Sequence, residues 1–163
     1  MNNWRNEIIN TDKDNFELGL IWSKNNSLQQ IANEIYEIIN SDIYDYVACI
    51  ETKGIIYAAA VCALCGKELK IFRKKDKIIY TEDKYCRQFK NWRNMDDGIE
   101  IEKDQIHKND KIIVIDDIVD TAITLKSIDS IIKECNAEVI KYICIKNISD
   151  LHEINDIKIV SLI

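Results

Sequence analysis

Residues 112–125 read IIVIDDIVDTAITL, in which an apolar run meets two adjacent carboxylates, a short loop and the beginning of a helical pattern. The run opens with four β-branched residues, a composition typical of a strand buried on both faces. After the loop, apolar residues recur at helical spacing at positions 125, 128, 131, 132 and 135. The stretch therefore predicts a strand, a polar turn and a helix, which together form one unit of an α/β fold.

The same alternation continues on both sides of this unit. Helical spacing runs from Ser27 to Ile39, with Ser27 and Gln30 placed as a capping box, and an alanine-rich apolar run over 55–65 predicts a buried helix that ends at Gly66. Short apolar runs predict strands over residues 46–50, 69–72, 99–101, 139–145 and 157–163. This order predicts an α/β fold in which helices flank a central, mostly parallel sheet.

Two regions do not follow the pattern. Residues 1–25 are weakly patterned, and residues 80–97 are polar, dotted with aromatic residues and without a steady period. We interpret the second region as a flexible loop or lid. Because no linker or repeat interrupts the 163 residues, the sequence predicts a single domain over 1–163.

Composition argues against several classes of protein. The four glycines, at positions 19, 54, 66 and 98, do not fit the G-x-G-x-x-G or the G-x-x-x-x-G-K-[ST] phosphate loop. The net charge of -6 and the pI near 5.0 argue against nucleic acid as a partner. No apolar window is long enough for a membrane span and the N-terminus does not resemble a signal peptide, so we expect a cytoplasmic protein with no membrane partner. In that compartment the six cysteines are expected to be reduced thiols, most of them in the core.

The turn after the strand of residues 112–115 carries the chemistry. Ligands of open α/β sheets bind beyond the carboxyl ends of the strands, where the N-terminus of the next helix offers unpaired N–H groups to an anion. Thr121 and Thr124 add hydroxyl donors there, and Asp116 and Asp117 suit sugar hydroxyls or hydrated Mg²⁺. The pattern predicts a phosphate site; the alternative is an ordinary turn whose Asp and Thr side chains only cap the backbone.

The stretch 112–125 also resembles the phosphoribosyl pyrophosphate (PRPP) motif of type I phosphoribosyltransferases, which joins a hydrophobic strand, two acidic residues, two apolar residues and a phosphate loop. Residues 50–55 resemble the E-S-R-G segment of the adenine phosphoribosyltransferases of this family, and residues 72–77 resemble their R-K-x-x-K segment. Residues 160–163 resemble their closing strand. The resemblance implies a type I phosphoribosyltransferase-like fold, in which residues 1–25 form a small, poorly matched hood.

The resemblance implies a role for each matching residue. Asp116 and Asp117 would contact the ribose hydroxyls of PRPP and hold Mg²⁺ directly or through water, and Asp117 and Asp120 would be the catalytic carboxylates. The loop around the 5′-phosphate would consist of Asp120, Thr121, Ala122, Ile123 and Thr124. The residues that meet the pyrophosphate would be Thr52, Lys53, Arg73, Lys74 and Lys77.

The function implied by the resemblance is Mg²⁺-dependent transfer of the phosphoribosyl group from PRPP to a nucleobase. The base would be a purine, with adenine favoured, and the products would be a nucleoside 5′-monophosphate and pyrophosphate for purine salvage. A homodimer is also implied. The alternative within the same fold is a regulatory protein that senses PRPP or a nucleotide without catalysis. Aspartyl-phosphate proteins fit less well, because their D-x-D pattern would need Asp117 and Asp120 to stand one residue closer together.

The sequence departs from the family at several positions. Ala122 and Ile123 replace the Gly-Gly of the adenine enzymes, which makes a backbone conformation with positive φ costlier. Asp120 stands where the 6-oxopurine enzymes carry an aspartate, and is either a general acid/base or a loop cap. Phe16 and Trp22 are candidates for stacking on the base, the alternative for each being a place in the core. The catalytic glutamate of the adenine enzymes cannot be assigned to a residue of this chain.

Overall fold

A mixed sheet of eight strands forms the centre of the chain in a computed structural model. The structure describes residues 4–7, 9–12, 15–18, 21–24, 26–91 and 93–163. Its α-helices are α1 (Ser27–Ile39), α2 (Gly54–Cys65) and α3 (Ile123–Glu134). Its strands are β1 (Ile9–Asp12), β2 (Asn15–Glu17), β3 (Tyr46–Ile50), β4 (Glu68–Lys74), β5 (Lys84–Lys90), β6 (Asp96–Glu102), β7 (Lys111–Val119), β8 (Glu138–Asn147), β9 (Glu153–Ile154) and β10 (Ile157–Ser161). None of the helices in the described residues combines the length and apolar character that crossing a bilayer requires.

Parallel strands occupy the middle of the sheet, in the order β4-β3-β7-β8-β10. Antiparallel strands close its edges, with β6 and then β5 beside β4, and β9 beside β10. β1 and β2 form a separate two-stranded antiparallel sheet. The predicted α/β fold, with helices flanking a mostly parallel central sheet, is confirmed.

The sheet is covered on both faces by separate apolar cores. On one face α1 and α2 pack over a core that includes Ile113 and Ile115 of β7. On the other face α3 packs over a core that includes Ile112 and Val114 of the same strand. All four side chains are 0% exposed, and alternate residues of β7 therefore serve opposite cores. This is why the strand reads as a continuous apolar run instead of an alternating one.

Trp4 forms hydrogen bonds to α1, and the first turn of this helix differs from the predicted one. The helix starts at Ser27 as predicted, but Asn26 holds the N-cap position with a φ of 58° and makes no side-chain cap bond. The side chain of Gln30 accepts the backbone N–H of Trp4 at 3.1 Å, and Trp4 Nε1 donates to Glu34 at 3.0 Å. The predicted capping box is therefore wrong, because a contact from 26 residues away engages the Gln30 side chain.

Residues 80–97 are not an irregular loop, because most of them belong to a β-hairpin. β5 and β6 pair in unbroken antiparallel register from Lys84 opposite Glu102 to Lys90 opposite Asp96. Tyr85 and Phe89 pack against the core beneath α3, and Arg87 between them donates to Ser130 of α3 at 3.1 Å. The secondary-structure prediction was wrong here because a half-buried arginine interrupts the apolar period of two, and its partners lie on a distant helix.

Candidate active site

The carboxyl ends of β4, β3, β7 and β8 lie side by side at one edge of the sheet. Cys49 pairs with Ile115 and Ile50 pairs with Phe72, so the residues that follow on β3, β4 and β7 reach the same level. The residues predicted to bind PRPP, pyrophosphate and Mg²⁺ all lie in or directly after one of these strand ends. The fold thus assembles three separate segments of sequence at a single edge.

Asp116 and Asp117, hereafter the acidic pair, lie inside β7, which continues four residues beyond the predicted strand to Val119. The backbone N–H of Asp117 donates to Oδ1 of Asp116 at 2.8 Å. Burial raises the pKa of Asp116 well above its ordinary value, and the neighbouring charge of Asp117 raises it further. A divalent cation would relieve this accumulation of negative charge, and paired carboxylates that leave room for substrate oxygens suit Mg²⁺.

The loop after β3 packs directly against the acidic pair. A Cβ on Gly54 would lie 3.2 Å from Oδ1 of Asp116 and 3.3 Å from the carbonyl oxygen of Ile115. Glycine at the first position of α2 therefore permits the close approach of this loop to the end of β7. Thr52 and Lys53, whose side chains are exposed, directly precede Gly54 in this loop.

Arg73, Lys74 and Lys77, hereafter the basic cluster, are organised by Glu51. Arg73 Nε and the backbone N–H of Lys74 each donate to Oε2 of Glu51 at 3.0 Å. The Lys74 N–H lowers the pKa of Glu51 most, followed by the Arg73 guanidinium, and the charge of Lys77 contributes as well. Sequence reasoning assigned no role to Glu51, although its position one residue after β3, opposite a basic run, was an available signal.

The phosphate loop, residues 120–124, joins β7 to α3. Ala122 is the N-cap residue of α3, has a φ of 55° and is 4% exposed. The loop therefore requires a left-handed residue, and alanine adopts that conformation in place of the family's glycine. The backbone N–H of Ile123 approaches Thr121 Oγ1 at 3.5 Å, and α3 begins without a side-chain cap. Asp120 precedes the N-cap by two residues, and the first turn of α3 presents its N–H groups at this edge.

An open cleft of ≈ 450 Å³ adjoins the phosphate loop. Its lining consists of Asp120, Thr121, Lys126, Ile148, Ser149, Asp150 and Leu151. The backbone N–H groups of Ile148 and Ser149 both donate to the carbonyl oxygen of Val119, at 2.9 and 3.2 Å. The loop after β8 is thereby fixed to the end of β7. Sequence reasoning missed this wall, although the loop follows a parallel strand that neighbours β7.

Other predicted features lie elsewhere or outside the described residues. Trp22 packs edge-to-face on Tyr57 of α2, with ring centroids 6.3 Å apart, and belongs to the core of α1 and α2. The side chain of Phe16 lies outside the described residues. All six cysteines are free thiols, and burial, followed by the neighbouring Cys65, raises the pKa of Cys62 to about 12. In the part of the chain that the structure describes, no three His, Cys, Asp or Glu residues group as a metal cage.

Comparison with known proteins finds similarity along most of the chain. A family model for a phosphoribosyl transferase domain matches residues 21–161. The adenine phosphoribosyltransferase of Pelagibacter ubique is 29% identical over 128 residues, which are 77% of this chain and 70% of that protein. The adenine phosphoribosyltransferase of Butyrivibrio fibrisolvens is 26% identical over 156 residues, which are 90% of this chain and 83% of that protein.

Solved structures show the same fold at low identity. The adenine phosphoribosyltransferase of Thermoanaerobacter pseudethanolicus has a TM-score of 0.82 and 16% identity, covering 91% of this chain and 86% of that one. The Saccharomyces cerevisiae enzyme, complexed with an imino-altritol bisphosphate and adenine, has a TM-score of 0.77 and 15% identity, with 91% and 86% covered. The acidic pair, the phosphate loop and the basic cluster all fall within the matched domain. Because that domain spans most of the chain, the protein belongs to the phosphoribosyltransferase family of enzymes.

Proposed function

We propose that this protein transfers the phosphoribosyl group of PRPP to adenine with the help of Mg²⁺. The observation that carries the proposal is the meeting of the acidic pair, the phosphate loop and the basic cluster at one sheet edge. An acidic surface beside the sugar and a basic surface beside the leaving group are what the reaction needs. The products would be adenosine 5′-monophosphate and pyrophosphate, so the protein would serve purine salvage.

Each part of the site has a distinct task in this reaction. The bond between C1′ of the ribose and a pyrophosphate oxygen breaks, and a bond from C1′ to a ring nitrogen of the base forms as that nitrogen releases its proton. Positive charge develops on the sugar, which the acidic pair stabilises, while the basic cluster, with Thr52 and Lys53, compensates the charge that grows on pyrophosphate. The phosphate loop and the N-terminus of α3 hold the 5′-phosphate. Mg²⁺ bound by the acidic pair would supply further charge compensation on the substrate oxygens.

The cleft beside the phosphate loop is our candidate for the base site. Asp120 lines it with an exposed carboxylate, placed to exchange a proton with a ring nitrogen of the base. The choice of adenine is supported by the names of the curated relatives and by the adenine bound in the Saccharomyces cerevisiae structure.

The experiment that tests this function is an assay of pyrophosphate release from Mg-PRPP with adenine, hypoxanthine and guanine. We expect release with adenine to be fastest. Asp117→Asn keeps the size of the side chain but removes a charge from the acidic pair, so we expect turnover to fall by about 10²–10³-fold without a lower melting temperature. Wild-type turnover in Asp117→Asn would contradict the role given to the acidic pair.

The same assay distinguishes an enzyme from a sensor. The observation that favours a sensor is the backbone strain at Ala122 of the phosphate loop, which has a positive φ although it is not a glycine. A sensor would bind Mg-PRPP in a calorimetric titration but release no pyrophosphate with any base. Heat of binding together with adenine-dependent release supports the transferase.

We also propose that the protein forms a homodimer through the outer face of α2. The twelve residues of this helix include no charged side chain, and a helix that is apolar all round is usually buried. Ala59 and Ala63 are nevertheless exposed, and Leu64 is 40% exposed. A groove of ≈ 490 Å³ is lined by Ala63 and Leu64 of this helix and by Trp22 and Leu28. A second copy of the chain, with the same apolar face, suits this surface.

A further inference from the structure

Glu100 is a buried carboxylate in the middle of β6. Its side chain is 1% exposed, and the only other buried polar or charged residues in the described part of the chain are Ser27 and Asp129. A carboxylate in such a place is costly unless hydrogen bonds and an opposite charge compensate it. Glu100 is not part of the acidic pair or of the basic cluster, so the reaction described above does not account for it.

Glu100 and its partner Lys84 both bind the backbone of one residue, Ile78. Its carboxylate accepts the backbone N–H of Ile78 and contacts Lys84 Nζ at 2.9 Å. Lys84 Nζ also donates to the carbonyl oxygen of Ile78 at 2.5 Å. The carboxylate of this ion pair therefore binds the N–H of Ile78, and its ammonium group binds the carbonyl oxygen of Ile78. The side chain of Ile78 is 0% exposed, whereas that of Ile79, the next residue, is 86% exposed, so the chain is anchored at Ile78.

This anchor lies immediately beside the basic cluster. Lys77 directly precedes Ile78, and its backbone N–H bonds to the carbonyl oxygen of Lys74 at 3.2 Å. Arg73 stands directly opposite Glu100 in the pairing of β4 with β6. Burial opposes the ionisation of Glu100, but the hydrogen bonds from Ile78, Lys84 and Lys77 outweigh it, so the pKa of Glu100 is lowered. The ionised carboxylate of Glu100 is thus a hydrogen-bond acceptor next to the turn that carries Lys77.

We propose that Glu100, paired with Lys84, is a positioning residue of the pyrophosphate site. It fixes the peptide groups of Lys77 and Ile78, and it thereby holds the charge of Lys77 where the pyrophosphate of PRPP binds. This inference rests on the proposed function, because it presupposes that the basic cluster binds pyrophosphate. A neutral side chain of the same size would lose the ion pair with Lys84, so the turn would no longer be held in one place.

Glu100→Gln tests the proposal, and Asp129→Asn is its matched control. Asp129 is the other buried carboxylate, 3% exposed, and it accepts bonds from Tyr142 at 2.9 Å and Asn155 at 2.6 Å, remote from the basic cluster. Mg-pyrophosphate and AMP are titrated calorimetrically into wild type and both variants. We expect Glu100→Gln to weaken pyrophosphate binding by about tenfold or more, since displacing a binding group by an ångström has effects of this order. AMP reports the phosphate loop, and we expect its affinity to be unchanged.

The kinetic readout is the KM for PRPP, which we expect to rise in Glu100→Gln while the KM for the base stays constant. Lys84→Gln, which changes a side chain that is 18% exposed, should produce the same pattern and serves if Glu100→Gln does not fold. Unchanged pyrophosphate affinity in these variants, or an equal loss in Asp129→Asn, would overturn the inference. If the wild type binds neither pyrophosphate nor AMP, the proposed function itself fails, which is a different outcome from a variant that behaves like the wild type.

Discussion

Ala122 shows what a single side chain contributes to the phosphate loop. A residue with a Cβ in the left-handed region costs about 1–2 kcal/mol relative to glycine, and Ala122 has a φ of 55° at the N-cap of α3. We expect Ala122→Gly to raise the free energy of unfolding by about 0.5–1 kcal/mol, since part of the gain is offset by the greater freedom of glycine in the unfolded chain. Urea denaturation measures the change. A lower free energy of unfolding would show that the buried methyl group outweighs the backbone strain.

Glu51 gives the site a measurable pH dependence. Its pKa is lowered from 4.5 because the ionised carboxylate accepts bonds from the Lys74 N–H and from Arg73. A lowered pKa in the folded state means that this stabilisation is present above 4.5 and is lost as the pH falls through the folded value. Glu51→Gln cannot ionise, so we expect it to be less stable than wild type by about 1 kcal/mol at neutral pH. Urea denaturation along a pH series should show this difference shrinking in acid; a difference independent of pH would contradict the argument.

At the scale of secondary structure, the sequence predicted the elements whose signal is local. The continuous apolar run of β7 and the helical period of α1 come from packing on fixed faces, so each is visible in its own segment. The elements that were missed depend on distant partners. The side chain of Gln30 bonds to Trp4 and forms no capping box, and Arg87 of β5 bonds to Ser130 and Glu134 of α3.

The hairpin of β5 and β6 depends on a glycine in a crowded place. A Cβ on Gly98 would lie 2.6 Å from the carbonyl oxygen of Arg87 and 3.2 Å from the Cβ of Lys75. We expect Gly98→Ala to lower the free energy of unfolding by about 1–3 kcal/mol, because backbone on two strands must move. The control is Gln88→Ala, which changes the exposed cross-strand partner of Gly98 and should stay within about 0.5 kcal/mol of wild type. Chemical denaturation of both variants checks the expectation, which fails if the two are equally stable.

For the molecule as a whole, the motifs indicated which segments meet but not how they are held together. Sheet order brings the ends of β4, β3 and β7 side by side, as expected for parallel strands. The contacts that set their geometry are side-chain bonds across these strands, such as Arg73 to Glu51, and the close approach of Gly54 to Asp116. Neither contact follows from hydrophobic periodicity, and the partners within each contact lie on different strands or loops. The cleft wall after β8 was missed because its place depends on backbone bonds from Ile148 and Ser149 to Val119, across two strands.

The outer face of α2 leads to a prediction about assembly. Leu64 is 40% exposed on this apolar helix, and because fully burying an exposed leucine contributes about 1.5–3 kcal/mol, covering its exposed part contributes roughly 1 kcal/mol. A twofold dimer would cover it in both copies, so we expect Leu64→Lys to raise the dissociation constant by at least about tenfold. Sedimentation velocity over a concentration series measures this shift. The control is Ile43→Lys, which replaces another exposed side chain (83%) ahead of the amino end of β3 and should leave association unchanged. A wild-type protein that is monomeric at every concentration would refute the dimer, and an equal effect of the two variants would place the interface away from α2.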